Sequence, residues 1–136
     1  MRDPLPRYPG YALRRAANAT AAQLSARLGE IGLKQVDASV LLLVQNNAGI
    51  TASALGRQLD IQRANMVPLL KRLEDAGWID RTPLDGKSQG LALTAAGAAQ
   101  CAQALAIIDS FETELLARIP PEHRDHLLPA LDALWR

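Results

Sequence analysis

Residues 51–97 constrain this chain more than any other stretch, because two helical segments lie there with almost nothing between them. From Asp60 to Ile79, residues Ile61, Met66, Leu69, Leu70 and Leu73 fall on one stripe at helical spacing, while Gln62, Arg63, Asn65, Lys71 and Arg72 mostly fall off it. One side of such a helix packs and the other is free to touch something. Asp60 reads as its N-cap and Gly77 as the left-handed residue that ends it. Ahead of it, Thr51 to Leu59 reads as a shorter helix capped by Thr51, with Leu55 and Leu59 inward. The connection of one or two residues makes the pair a helix-turn-helix. After Gly77, Trp78 to Thr82 and Gly90 to Leu93 carry strand signals around Pro83-Leu84-Asp85-Gly86-Lys87-Ser88-Gln89. The proline, the Asp-Gly pair and the small polar residues suit a hairpin loop, and the hairpin is a wing.

The order of these pieces, with Leu73-Glu74-Asp75-Ala76-Gly77-Trp78-Ile79 closing the second helix, Asp85 and Ser88 in the loop, and Leu91-Ala92-Leu93-Thr94-Ala95-Ala96-Gly97 after it, resembles the winged helix of MarR-type transcriptional regulators. The match is close over residues 33–97 and looser in the flanking helices. The Leu-Glu-x-x-Gly and Leu-Thr-x-x-Gly pieces are weak singly and fairly specific in this order and spacing. The resemblance implies a mainly α fold with a small β-hairpin wing, a winged helix-turn-helix carrying N- and C-terminal dimerisation helices. It divides one composite domain into an arm and first dimerisation helix (1–32), a DNA-binding part (33–97) and C-terminal dimerisation helices (98–136). It also implies a homodimer on a palindromic double-stranded DNA operator, and a small-molecule effector held where the dimerisation helices meet the winged helix, often an aromatic or phenolic carboxylate.

A chain of 136 residues fits one domain. Its net charge of +1 does not mark an indiscriminate polyanion binder, so affinity for nucleic acid must come from local placement. Residues 1–36 carry six Lys/Arg against two acids, residues 37–50 one acid only, residues 51–90 six against five, and residues 91–136 three against six. The acidic C-terminal part would face away from DNA. The single Cys101 excludes an intramolecular disulfide framework and suits a cytoplasmic protein. No run approaches the ~20 apolar residues of a membrane span, and Met1-Arg2-Asp3-Pro4-Leu5-Pro6-Arg7 lacks the apolar core of a secretory leader.

Outside the winged helix, residues 1–9 hold three prolines and read as an extended arm. Helices are expected from Gly10 to Gly29 with Leu13, Ala17, Leu24 and Leu28 on one side, and from Lys34 to Asn46 with Val36, Val40, Leu41 and Val44 inward. Thr94 caps a long helix to Ile119, and a last helix runs from Glu122 to Trp135. Leu105, Ile108, Phe111, Leu115 and Ile119, with Leu127, Leu128, Leu131, Leu134 and Trp135, are more apolar surface than a small winged helix covers by itself. They predict a homodimer, or else an intramolecular helical pair capping the domain.

Arg63 can bond guanine O6 and N7, and Asn65 and Gln62 suit adenine edges; all three lie in the first two turns, the part of a recognition helix that enters the major groove. Thr51, Ser53, Arg57, Lys71 and Arg72 suit phosphate contacts. Lys87 at the wing tip, helped by Ser88 and Gln89, can reach the minor groove or a phosphate. Each cation has a plainer reading: Arg72 pairs with Asp75 or Glu74, Arg57 or Arg63 bonds Asp60, and Asp85 orients the wing or pairs with Lys87. The family's wing often carries Asp-x-Arg-Ser, and here Asp85-Gly86-Lys87-Ser88 keeps the charge without the planar fork. Pro68, interior to the recognition helix, predicts a kink near Ala64 to Val67, costing up to about 3 kcal/mol in an ordinary helix. Pro129 poses the same question for the last helix.

Enzyme readings fare badly. Gly86-Lys87-Ser88 matches the end of a phosphate-binding loop, yet Arg81 stands where its first glycine belongs and a hairpin follows instead of a helix. No Gly-x-Ser-x-Gly elbow exists, no cofactor-binding motif is found, and no catalytic residue is assigned. His123 and His126 near Glu122 and Asp125 lack a third spaced ligand and read as a solvated helix start, so no metal site is assigned. Cys101, in an alanine-rich helix without a nearby base, reads as a buried thiol. For an effector, Tyr8, Tyr11, Arg14 and Arg15 offer aromatic surface and cations to an anion such as an aromatic acid or its coenzyme A thioester; the alternative has Tyr11 packed at the interface and the arginines solvated or on phosphate. The favoured function is a dimeric DNA-binding repressor released by such an anion. The alternative is a winged-helix adaptor that binds protein partners through its apolar terminal helices and no DNA.

Overall fold

A computed structural model describes all residues, 1–136. Six helices and one hairpin follow in the order α1 (Pro9–Gly29), α2 (Gln35–Asn46), α3 (Ala52–Leu59), α4 (Arg63–Asp75), β1 (Ile79–Pro83), β2 (Gln89–Leu93), α5 (Ala95–Arg118) and α6 (Arg124–Asp132). The strands pair antiparallel from Ile79 opposite Leu93 to Pro83 opposite Gln89. The core lies where α2 meets α4, α5 and the base of the hairpin: Val40, Leu41 and Val44 pack with Leu55, Met66, Leu70, Leu73, Ile79, Leu91, Cys101 and Ala104. No helix is long and apolar enough to cross a membrane.

Three helices stop in one way. Beyond the ends of α1, α3 and α4 a left-handed residue, Gly32, Asp60 or Gly77, bonds three residues back and the next residue bonds five back, the Schellman arrangement. Asp60, read above as the N-cap of α4, therefore closes α3 instead, at φ 53. Aspartate tolerates that conformation better than most residues, and the turn is too short for it to cap the next helix as well. Gln62 takes the N-cap position, and its side chain makes no cap bond. Thr51 and Thr94 cap α3 and α5 as expected, accepting from Ala54 N–H at 3.2 Å and Gly97 N–H at 2.9 Å.

Two glycines, Gly97 of the Leu-Thr-x-x-Gly piece and Gly56 in α3, permit close approaches. A Cβ on Gly97 would sit 1.9 Å from the Trp78 carbonyl oxygen, so only glycine lets α5 start directly on the end of α4. On Gly56 a Cβ would lie 2.9 Å from the Ile61 carbonyl oxygen and 3.3 Å from Met66 Cγ, which is how α3 and α4 come so near.

One buried ion pair orients α4. Asp37, 3% exposed on the inward face of α2, accepts from the Lys34 N–H at 2.7 Å and from the Arg72 guanidinium. Arg72 thus bonds α2 rather than Asp75 or Glu74, which bond Lys71 and Arg81 respectively. The proline inside α4 does not divide the helix, and the kink expected near Ala64 to Val67 produces no break in it. Pro68 lies on the exposed side, where the Ala64 carbonyl deprived of its donor can bond water.

The chain ends depart from expectation in detail. The arm is not extended throughout: Leu5–Arg7 form a 3-10 turn, with the Leu5 N–H bonded to Asp3 Oδ1 at 3.0 Å. The last helix is shorter than Glu122 to Trp135, because Pro121–His123 form a separate 3-10 turn. Arg124 then folds back on the preceding helix, donating to the Ile119 and Ala117 carbonyls at 2.9 and 3.1 Å. Arg27 of α1 bonds Glu114 of α5 and stacks 5.5 Å from the Phe111 ring. The Arg27 hydrogen bond holds the Glu114 carboxyl below its usual range, so the pair is intact above ordinary glutamate pKa values and is lost as pH falls through the lowered one. Cys101 is fully buried, its S–H donates to Gln45 Oε1 at 2.8 Å, and burial pushes its thiol pKa up.

Gly97→Ala should destabilise the protein by about 1–3 kcal/mol in urea unfolding, because either the Trp78 carbonyl or α5 must shift. Asp37→Ala should cost about 1–2 kcal/mol in the same measurement, through loss of the bond to the Lys34 N–H.

Candidate nucleic-acid interface

The rotation of α4 follows from what it buries. Met66, Leu69, Leu70 and Leu73 face the core, so at 3.6 residues per turn the opposite face is centred on Ala64, Pro68 and Lys71. Arg63 and Val67 border this face on the α3 side, Asn65 and Arg72 on the α2 side. Gln62, Arg63, Ala64 and Asn65 are all exposed at the helix start.

Two cavities flank the helix. One of about 550 Å³ lies between α3 and α4 and is lined by Ser53, Arg57, Asp60, Gln62, Arg63 and Val67 among others, with Arg81 reaching in from β1. The other, about 530 Å³, is lined by Lys34, Val36, Ile61, Asn65, Pro68, Leu69 and Arg72. The fold thus gathers Ser53, Arg57, Gln62 and Arg63 in one recess and Asn65 with Arg72 in the other.

The cations differ in what holds them. Arg57, Arg63 and Lys87 are exposed and form no ion pair, so neither arginine is tied to Asp60 and Lys87 is not tied to Asp85. Lys71 lies 3.2 Å from Asp75 with both side chains mostly exposed, a pair that a phosphate can displace at little cost. Arg72 is held by the buried Asp37, and its side chain is 41% exposed. The wing tip turns at Gly86, with the Leu84 N–H bonded to the Ser88 carbonyl at 2.9 Å, leaving Lys87, Ser88 and Gln89 exposed. Thr51 is occupied as a cap and also bridges to Gly90 of β2.

Arg81 is the residue that sequence reasoning missed in this region. Its bond to Glu74 ties the wing to α4, and the signal lay in a cation two residues into a strand that starts beside the acidic end of a helix. Asp37 was missed as well. A lone carboxylate among the apolar residues of α2 demands a partner, and that demand was visible in the sequence.

The proposed effector residues form two clusters at the start of α1. Arg15 Nη1 donates to Tyr11 Oη at 3.0 Å, and the guanidinium carbons of Arg14 and Arg15 lie 5.6 and 5.8 Å from the Tyr11 ring centre. Tyr8 is engaged by Arg7, which donates to its hydroxyl at 3.0 Å. None of these residues lines either cavity beside α4.

Comparison with known proteins places this geometry. Residues 31–88 match the family model described as "MarR family". The HTH-type transcriptional repressor Rv2887 of Mycobacterium tuberculosis is 29% identical over 119 residues, 85% of this chain and 86% of the relative. The crystal structure of Rv2887 in complex with salicylic acid superposes with a TM-score of 0.72 at 27% identity, covering 93% of this chain and 96% of that one. The transcriptional repressor CouR bound to p-coumaroyl-CoA gives a TM-score of 0.88 at 30% identity, over 100% of this chain and 97% of CouR. CouR bound to a 23-mer DNA duplex gives 0.89 at 32%, over 97% and 95%. A TM-score near 0.9 across nearly the whole length means that the terminal helices, and not the winged helix alone, are arranged alike. This chain belongs to the MarR family of winged helix-turn-helix transcriptional regulators.

Proposed function

We propose that the protein is a homodimeric transcriptional repressor that reads a palindromic operator through α4 and releases it on binding a small aromatic anion or its coenzyme A thioester. The observation that carries the reading is the start of α4, where Gln62, Arg63 and Asn65 are exposed and uncommitted while the opposite face of the helix is buried. Arg63 pairs with guanine, and Gln62 and Asn65 pair with adenine edges. Arg57, Ser53, Thr51 and Lys71 hold phosphates on either side, Arg72 does so with the part of its side chain left free by Asp37, and Lys87 with Ser88 and Gln89 follows the backbone or minor groove at the wing.

Dimerisation rests on the chain ends. No residue of α6 is buried, and Leu128, Leu134 and Trp135 are 67%, 67% and 71% exposed, with Leu13, Leu105 and Leu116 of α1 and α5 open as well. A second copy covering these residues sets two recognition helices about one DNA turn apart, roughly 34–36 Å. Salicylic acid on Rv2887 and p-coumaroyl-CoA on CouR support an aromatic anionic effector here. The Tyr8, Tyr11, Arg14 and Arg15 cluster supplies ring surface and positive charge for it, and binding re-spaces the two α4 helices. Regulation of transcription places the protein in the cytoplasm, and no enzymatic step enters this reading.

Fluorescence anisotropy on DNA flanking the protein's own gene tests the reading at two salt concentrations. Arg63→Ala should weaken specific binding by about 1–3 kcal/mol and relax base preference at one position, whereas Lys87→Ala should weaken all sequences alike and lower the salt slope by about one. Binding equal to that on random DNA and indifferent to Arg63 would refute it. In the same assay, p-coumaroyl-CoA or salicylate should release the wild-type complex, and Arg14→Ala should require several-fold more ligand for half-release.

A further inference from the structure

The first two turns of the face that α4 turns to DNA are apolar at their centre, with Lys71 following on the same line. Ala64 and Pro68 sit directly opposite the buried seam, and beside them Val67 is 59% exposed, the one large aliphatic side chain of the helix left in solvent. Nothing in the fold uses it: the core is closed by Met66, Leu69, Leu70 and Leu73, and Val67 only rims the recess that holds Arg63. Valine is also a poorer helix former than alanine, so local propensity does not explain it. An exposed aliphatic group between side chains suited to base edges has one apolar target in the major groove, the 5-methyl group of thymine.

We infer that Val67, backed by Ala64 and Pro68, reads thymine methyl groups and so determines operator sequence beside Arg63 and Asn65. The inference rests on α4 being the DNA-reading helix and adds which base it selects without a hydrogen bond. Position follows from helix geometry. Val67 stands one turn beyond Arg63, about 6 Å along the axis, and base pairs are stacked about 3.4 Å apart. The thymine therefore lies within about two base pairs of the pair that Arg63 contacts, in each half-site.

The test removes the apolar contact from either side. An operator is selected from a random DNA pool with the purified full-length chain, and each thymine is replaced in turn by deoxyuridine, symmetrically in both half-sites, with binding read by anisotropy. At one thymine within two base pairs of the Arg63 contact, wild type should lose about fourfold in affinity per half-site, the value of one buried methyl. Val67→Ala, safe for folding at an exposed position, should lose the same factor on the thymine duplex and no longer distinguish it from the deoxyuridine duplex. If no thymine shows sensitivity, or Val67→Ala keeps the wild-type ratio, the inference is overturned while the DNA reading stands. If wild type selects no sequence from the pool, the DNA reading fails and the inference with it.

Discussion

Burial of four side chains on one face of α4 governs this structure. Met66, Leu69, Leu70 and Leu73 join a core supplied by α2, α3, α5 and the hairpin, and their removal from water fixes the helix rotation. Rotation in turn decides which residues look outward, because a helix has no independent means of choosing its exposed side. Arg63, Ala64, Asn65 and Pro68 are exposed as a consequence of where the leucines go. The Asp37–Arg72 pair adds directional restraint that a hydrophobic seam lacks: two rods packed on leucines can slide or roll, whereas a buried carboxylate accepting from both Lys34 and Arg72 admits one register.

The wing is built onto this helix as a continuation of its end. Gly77 reverses the chain, Trp78 bonds back to the Leu73 carbonyl, and the Trp78 carbonyl accepts from the Thr94 N–H at 3.0 Å. Thr94 also donates to the Gly77 carbonyl while capping α5, and Gly97 lets α5 press on the same peptide. Recognition helix, hairpin and long helix thus share one joint a few residues wide. Through this joint, and through Arg81 on Glu74, the long helix and the hairpin are both tied to the C-terminal end of α4.

Charge is arranged along the same lines. A net charge of +1 conceals a basic N-terminal third and an acidic C-terminal one, and the cations left without ion pairs include Arg57, Arg63 and Lys87 around the helix-turn-helix and wing. Arg14 and Arg15 of the first helix lie over the half-buried Tyr11 instead, and Arg7 ahead of it lies over Tyr8. Local placement, more than total charge, sets what such a protein attracts.

The sequence by itself determined the element order, the caps at Thr51 and Thr94, the left-handed stop at Gly77, and the two-sided character of α4. These are short-range matters of backbone preference and helical period, decided within a few residues. The hairpin and the MarR likeness were legible for the same reason, through turn residues and glycines at fixed spacing. Tertiary structure alone decided the rest. Asp60 closes one helix instead of opening the next because a turn this short can serve only one of them, and Arg72 bonds Asp37 across 35 residues instead of its helical neighbours because burial leaves that carboxylate no water. Val67 falls outside the stripe already legible in the sequence, but how far it stays in solvent and which recess it rims depended on how α3 and α4 pack.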